Sequence, residues 1–189
     1  MRVLYLIFSH DHQPQLTRMV LAIRRLSPNA EIAVHHDPQV APLRPGLFPA
    51  EWRVHVVPAP VRGEWGDFSL VEQYLHAFRW SAQQLQFDWV VTLTGLSYPI
   101  RPLRVFEAML AASGRDGFVY HFDADDLGHW PPGTATTRFK FRYFKLPKFR
   151  YWHRVPAPLR TSLQRSRVWL NAHQPFVRIA PRPRGLKTL

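Results

Sequence analysis

The chain has 189 residues, 46% of them hydrophobic and 14% aromatic, which is enough apolar material to bury a core and argues against a disordered chain. It contains no cysteine, so a disulfide framework, a thiolate nucleophile and any sulfur-based zinc site are excluded. The net charge of +12 is unevenly placed: residues 1–100 hold 8 Lys/Arg and 8 Asp/Glu, whereas 14 Lys or Arg and no acid follow Asp126.

Residues 2–8 are a near-continuous apolar run, the pattern of a central parallel strand covered on both faces. The run is far too short to span a bilayer and no small-residue cleavage site follows it, so a soluble, cytoplasmic protein without a transmembrane segment is expected. Residues 15–26 place Leu16, Met19, Val20, Ile23 and Leu26 at helical spacing, with Arg18, Arg24 and Arg25 on the other face. A second strand at 31–36 completes a β-α-β unit with a right-handed crossover. Pro38, Pro42, Pro45 and Pro49 make 38–49 a loop, and a third strand follows at 52–57.

Ser69-Leu70-Val71-Glu72 fits a capping box and predicts a helix over 70–86, with Val71, Tyr74, Leu75, Phe78 and Leu85 on its apolar face. Residues 87–94 read as a fourth strand that Gly95 breaks. A helix near 102–112 and a strand near 117–122 come next. Beyond 126, eight prolines and irregularly spaced aromatics and bases leave no sustained period, with a short helix expected near 158–170. The organisation expected is an α/β half, 1–126, and a basic, Pro- and aromatic-rich segment of the same domain, 127–189.

Ligands of open α/β sheets bind at the carboxyl ends of the strands. Three polar segments are candidates: Ser9-His10-Asp11, His35-His36-Asp37 and Trp65-Gly66-Asp67-Phe68-Ser69-Leu70-Val71. Asp37 is either a hydrogen-bond acceptor for a ligand or a turn former before Pro38. Ser9 either lines a pocket or permits a tight turn, and His10 either faces ligand or bonds a loop carbonyl. Trp65 either flanks a base or sugar or belongs to a core, and the amides near Gly66 at a helix start suit an anionic group. Asp123-Ala124-Asp125-Asp126 reads as a solvated turn rather than a cation site, and the ten histidines show no His-Glu-x-x-His spacing. No metal is expected. Arg138-Phe139-Lys140-Phe141-Arg142-Tyr143 alternates base and aromatic, which on a strand puts the charges on one face.

The order and wording of the three segments, extended by Val90-Val91-Thr92-Leu93-Thr94-Gly95-Leu96-Ser97-Tyr98-Pro99-Ile100, resemble the core-2/I-branching β-1,6-N-acetylglucosaminyltransferase family, which includes xylosyltransferases. The resemblance covers roughly residues 2–145. It implies a GT-A-like, Rossmann-like mixed sheet flanked by helices, with its C-terminal part incomplete. It implies an enzyme that moves GlcNAc or a related sugar from a UDP-sugar to a carbohydrate hydroxyl, with inversion and without metal or other cofactor. Ser9, His10, Asp37, Trp65, Gly66, Gly95 and Ser97 would then line the donor site, and Tyr98, Arg138 and Arg142 the acceptor side.

Ser97 stands where the family has an Asp, so it offers a hydroxyl and no charge. The family's catalytic base is a Glu in the C-terminal part, and no acid follows Asp126 here. Pro183-Arg184-Gly185-Leu186-Lys187 looks like the approach to that part. The expectation is therefore a truncated member, with Asp123 the remaining candidate base and transfer slow or absent. Nucleic acid is not expected as a partner in this reading. The alternative is a non-catalytic basic module that binds nucleic acid or acidic polysaccharide through residues 138–187.

Overall fold

Successive side chains of a strand point to opposite faces, and the first strand, β1 (Val3–Ser9), divides the core in two by that rule. Val3, Tyr5 and Ile7 pack with Leu16, Met19, Val20 and Ile23 of α1 (Gln13–Leu26), Ile32 and Val34 of β2 (Glu31–His36), and Leu110 of α3 (Leu103–Ala112). Leu4 and Leu6 pack instead with Ala33, Val57 and Ala77, the last on α2 (Ser69–Gln84). The structure is a computed structural model and describes residues 1–64, 67–120, 142–144, 156, 158–159, 161–162 and 177–179.

The chain divides into two compact units, Met1–Phe118 and Val119–Leu189. In the first, β3 (Val54–Val56) and β4 (Trp89–Thr94) complete a four-stranded sheet of order β3-β2-β1-β4, parallel at every pairing. The sheet is thus parallel in all its described strands where a mixed one was expected, because every connection within it is a crossover. The chain steps from β1 to β2 in one direction and from β3 to β4 in the other. Right-handed crossovers then require α1 and α2 on opposite faces, as found. The proline loop between β2 and β3 closes the first core with Leu43, Leu47, Phe48 and Trp52. In the second unit, β5 (Arg142–Phe144) and β6 (Val177–Ile179) form a parallel pair with Tyr143 opposite Arg178.

Pro14 sits in the first turn of α1, where a missing N–H costs nothing, and Arg24 and Arg25 sit in the last turn, where cations suit the helix dipole. Arg24 is not on a solvated face as its spacing suggests. Its guanidinium donates to the carbonyls of Pro28, Ala30, Trp52 and Arg53 at 2.8–3.2 Å, tying the end of α1 to the start of β3. On the same face the Tyr5 hydroxyl donates to Glu107 of α3 at 2.8 Å, and burial followed by that carboxylate pushes the phenol's pKa well above its ordinary value.

Three expectations are corrected. The capping box does not form: the Ser69 hydroxyl accepts the Glu64 amide at 3.0 Å, and Asp67 accepts the Ser69 amide at 3.0 Å. The fully buried stripe of α2 is Gln73, Ala77 and Ser81; of the expected apolar face, Phe78 and Leu85 pack on the core of Leu4 and Leu6 and the Tyr74 ring stacks on Phe8 at 4.0 Å, while Val71 (45% exposed) and Leu75 face outward. Small side chains at 77 and 81 bring the helix against the sheet, and that close approach outweighs the larger apolar residues. Of the strand expected near 117–122, residues 117–120 are not extended into a strand and 121–122 lie outside the described residues. Gly114, at φ 57, turns the chain after α3, and Phe118, Val119 and Tyr120 are exposed. Of the helix expected near 158–170, Pro158, Leu159, Thr161 and Ser162 are helical and the remainder lies outside the described residues.

Among the described residues, no helix is long and apolar enough to cross a membrane, and no group of three or more His, Asp or Glu side chains converges to hold a metal ion.

Candidate functional site

The parallel ladder continues past the strand ends and lines up three of the sequence candidates. The Asp37 amide donates to the Ser9 carbonyl at 2.8 Å, and the Gly95 amide donates to the Phe8 carbonyl at 2.7 Å. Ser9, Asp37 and Gly95 therefore lie side by side at the carboxyl ends of β1, β2 and β4. Strand order reverses between β1 and β4, and open α/β sheets bind ligands in the crevice at such a reversal. Gly95 is required there: a Cβ would come within 2.8 Å of the Ser9 Cβ.

Beyond Gly95 the chain closes a turn on Ser97. Its amide donates to the Thr94 carbonyl at 2.9 Å, and its hydroxyl lies 3.1 Å from Thr94 Oγ1 and accepts the Thr94 amide at 3.3 Å. Tyr98 follows, exposed. Across the crevice, exposed His10 leads into a turn in which Asp11 accepts the His12 amide at 2.7 Å and His12 adopts a left-handed φ of 50°. His10, Ser97 and Tyr98 thus border the β1/β4 edge.

Asp37 does different work. Its side chain is buried, and its carboxylate accepts the Gln39 amide at 2.9 Å on Oδ1, and the Gly63 amide at 2.7 Å and Gln73 Nε2 at 3.1 Å on Oδ2. Gln73 Nε2 also donates to the Val61 carbonyl at 3.0 Å. A carboxylate with three protein donors is a clamp between the β2 end, the segment after β3 and α2. A Cβ on Gly63 would lie 2.5 Å from Gln73 Nε2, so the clamp needs glycine there.

The two histidines before Asp37 point to opposite faces, as neighbours on a strand must. His36 Nδ1 lies 2.8 Å from the Ser9 hydroxyl and Nε2 lies 2.7 Å from the Ala41 carbonyl. His35, on the α2 face, accepts the Val61 amide on Nε2 at 3.2 Å. Burial above all, and then His76, push its pKa down to about 4 against the pull of Asp37 and a hydrogen bond to its own backbone, so it is neutral at pH 7.

Ser9, Asp37, Gly95 and Ser97 are thus brought together, with His10 and Tyr98 at the rim. Trp65, Gly66, Asp123 and Arg138 lie outside the described residues, and Arg142 falls on β5 of the second unit. Gln73 and Gly63 are the residues that sequence reasoning missed, and His35 and His36, named only as part of a candidate segment, were given no role. Two adjacent histidines ending a strand, and a glutamine on the buried stripe of an amphipathic helix, were the available signals. At the opposite, amino ends of the strands lies an open depression of about 630 Å³, bordered by Arg2, Glu31, Arg53 and His55. Binding in open α/β sheets occurs at the carboxyl ends, so this depression is not taken as the site.

Compared with known proteins, the chain matches no protein-family model and no curated protein.

Proposed function

We propose that residues 1–118 carry the nucleotide-sugar half-site of a metal-independent, inverting glycosyltransferase that uses a UDP-sugar donor. The observation that carries this reading is positional. The segments whose wording resembles the branching N-acetylglucosaminyltransferases, Ser9-His10, His35-His36-Asp37 and Gly95 to Ile100, end three adjacent parallel strands around the point where strand order reverses. In such a reaction an acceptor hydroxyl attacks the anomeric carbon, the bond to UDP breaks, UDP leaves with the electron pair, and a base takes the hydroxyl proton.

Each residue has a role within that scheme. His10, exposed at the rim, donates a hydrogen bond to the donor's sugar or diphosphate, and Tyr98, also exposed there, donates to the acceptor. Ser97 shapes the β4 turn through Thr94. Gly95 allows β4 to approach Ser9. Asp37 is a positioning residue that fixes the segment leading to Trp65. For the base, Asp123 is the candidate, and no acid follows Asp126 in the 189 residues. The acceptor is a carbohydrate hydroxyl.

Calorimetric titration with UDP in excess EDTA tests the reading, with ADP as the comparison. Saturable UDP binding, stronger than ADP binding and indifferent to chelator, is the expected result. No UDP binding by folded protein would refute it. Equal retention of UDP and ADP, both lost at moderate salt, would instead favour the polyanion-binding alternative, which rests on the 14 acid-free Lys and Arg after Asp126.

A further inference from the structure

The segment from Val57 to Gly63 is held by other elements rather than by its own packing. Only Val57 is buried. Ala59, between two prolines, takes a left-handed φ of 46°, a region disfavoured for any residue with a Cβ. Five side chains hold the segment: His35 accepts the Val61 amide, Asp37 accepts the Gly63 amide, Gln73 donates to the Val61 carbonyl, Gln39 donates to the Gly63 carbonyl at 3.4 Å, and His76 Nε2 lies 3.0 Å from the Pro58 carbonyl. Segments with few buried apolar contacts open locally at lower free energy than the core.

We propose that this segment is a strap whose acid-sensitive latch is His35: the neutral imidazole holds it and the imidazolium releases it. The direction of the hydrogen bond carries the argument. A backbone amide only donates, so His35 Nε2 must accept, and an imidazolium has no acceptor. Protonation replaces the bond with two N–H groups facing each other. His76 behaves oppositely: a carbonyl only accepts, so its Nε2 donates, and it keeps that bond when protonated.

The groups acting on His35 are Asp37, just past the end of β2, His36 on the opposite face of β2, His76 from α2 with its ring 5.9 Å away, and the uncharged Phe8 ring from β1 at 5.7 Å. Asp37 favours the cation, while burial and His76 disfavour it. The balance leaves His35 near 4 when the strap is closed. A released, hydrated imidazole returns towards 6.5. Linkage then raises the strap's opening constant about 30-fold between pH 7.5 and pH 5.

Amide hydrogen exchange on the full chain without nucleotide, corrected for intrinsic rates, tests this independently of donor binding. Protection at Val61 and Gly63 should fall about 30-fold from pH 7.5 to 5 and stay below that of the β1 amides of Leu6 and Ile7 at both pH values, so that the strap opens without the rest of the fold. His35→Gln offers an uncharged acceptor in place of Nε2 and should abolish the pH response. His76→Gln, at a partly exposed position, removes a repulsive charge and should move the release midpoint to higher pH, so it carries the test should His35→Gln fail to fold. Strap protection that is independent of pH, strap protection equal to that of Leu6 and Ile7, or an acid response that survives in His35→Gln would overturn the proposal.

Discussion

Ser9 on β1 and His36 on β2 share a hydrogen bond of 2.8 Å whose direction the rest of the ring fixes. His36 Nε2 faces the Ala41 carbonyl at 2.7 Å, so the neutral ring carries its proton there and Nδ1 accepts from the Ser9 hydroxyl. Serine and histidine side by side suggest a nucleophile and its base. Both are buried, however, at 6% and 4% exposure, and the pair instead fastens the proline loop after β2 to the end of β1. Ser9→Ala leaves a buried ring nitrogen unpaired and should cost about 1–3 kcal/mol in urea unfolding. A loss below about 0.3 kcal/mol would show that the bond contributes nothing.

Gly95→Ala should act at the same junction from the β4 side. The added methyl meets the Ser9 Cβ at 2.8 Å, which backbone atoms on two paired strands cannot relieve without disturbing the Gly95–Phe8 hydrogen bond. Thermal unfolding should report a loss of about 1–3 kcal/mol, and UDP affinity should fall with it. Unchanged stability would mean that the two strand ends are further apart than described.

Gly63 and Gln73 form a coupled pair. Gly63→Ala drives a methyl into Gln73 Nε2 and so disturbs both of its hydrogen bonds, to Asp37 and to Val61. Once Gln73→Ala has removed that side chain, the same methyl has less to displace. The double substitution should therefore cost less than the sum of the two single ones, by about 0.5–2 kcal/mol. Additive losses in a double-mutant cycle would separate the two residues.

Acid should weaken the fold through His35. Its pKa is about 4 in the folded chain against 6.5 unfolded, so the unfolded state binds the extra proton between those values. Stability from this group is complete above pH 6.5, declines as pH falls from 6.5 to 4, and is level below that, a change of up to about 3 kcal/mol. The difference in unfolding free energy between parent and His35→Gln, followed from pH 8 to 4, isolates it from the carboxylates. A difference that is flat over that range would contradict the assignment.

How much of this was legible in the sequence depends on the kind of contact. Apolar runs and helical spacing located β1, α1, β2, β4 and α3 to within about two residues, because burial in a parallel sheet writes itself directly into composition. The face of α2 was legible only in part: Phe78 and Leu85 do pack on the core. Ala77 and Ser81 win the sheet through close approach, a tertiary matter, while Val71 and Leu75 are left outside. The capping box failed because the hydroxyl and the amide of Ser69 both found partners in the preceding turn, Glu64 and Asp67. The positions of Ser9, Asp37, Gly95 and Ser97 could be read from where apolar runs stop. The clamp on Asp37 could not, since Gly63 and Gln73 are brought to it only by the fold.

Sugar transfer by these 189 residues should be very slow or absent. General-base catalysis contributes about 10²–10⁴ in rate, and the sequence offers no acid beyond Asp126 to supply it. Product assays with UDP-GlcNAc and UDP-xylose on carbohydrate acceptors check this. Vigorous transfer abolished by Asp123→Asn would contradict it and identify the base.

The most direct measurement of the central claim is a map of amide protection by UDP, with EDTA present, at pH 7.5. The account predicts new protection at residues 9–12 and 94–98, the turns that follow β1 and β4 at the carboxyl edge, and none around Arg2, Arg53 and His55 at the amino ends of the strands. Protection confined to the amino-end depression, or none at saturating UDP, would contradict it.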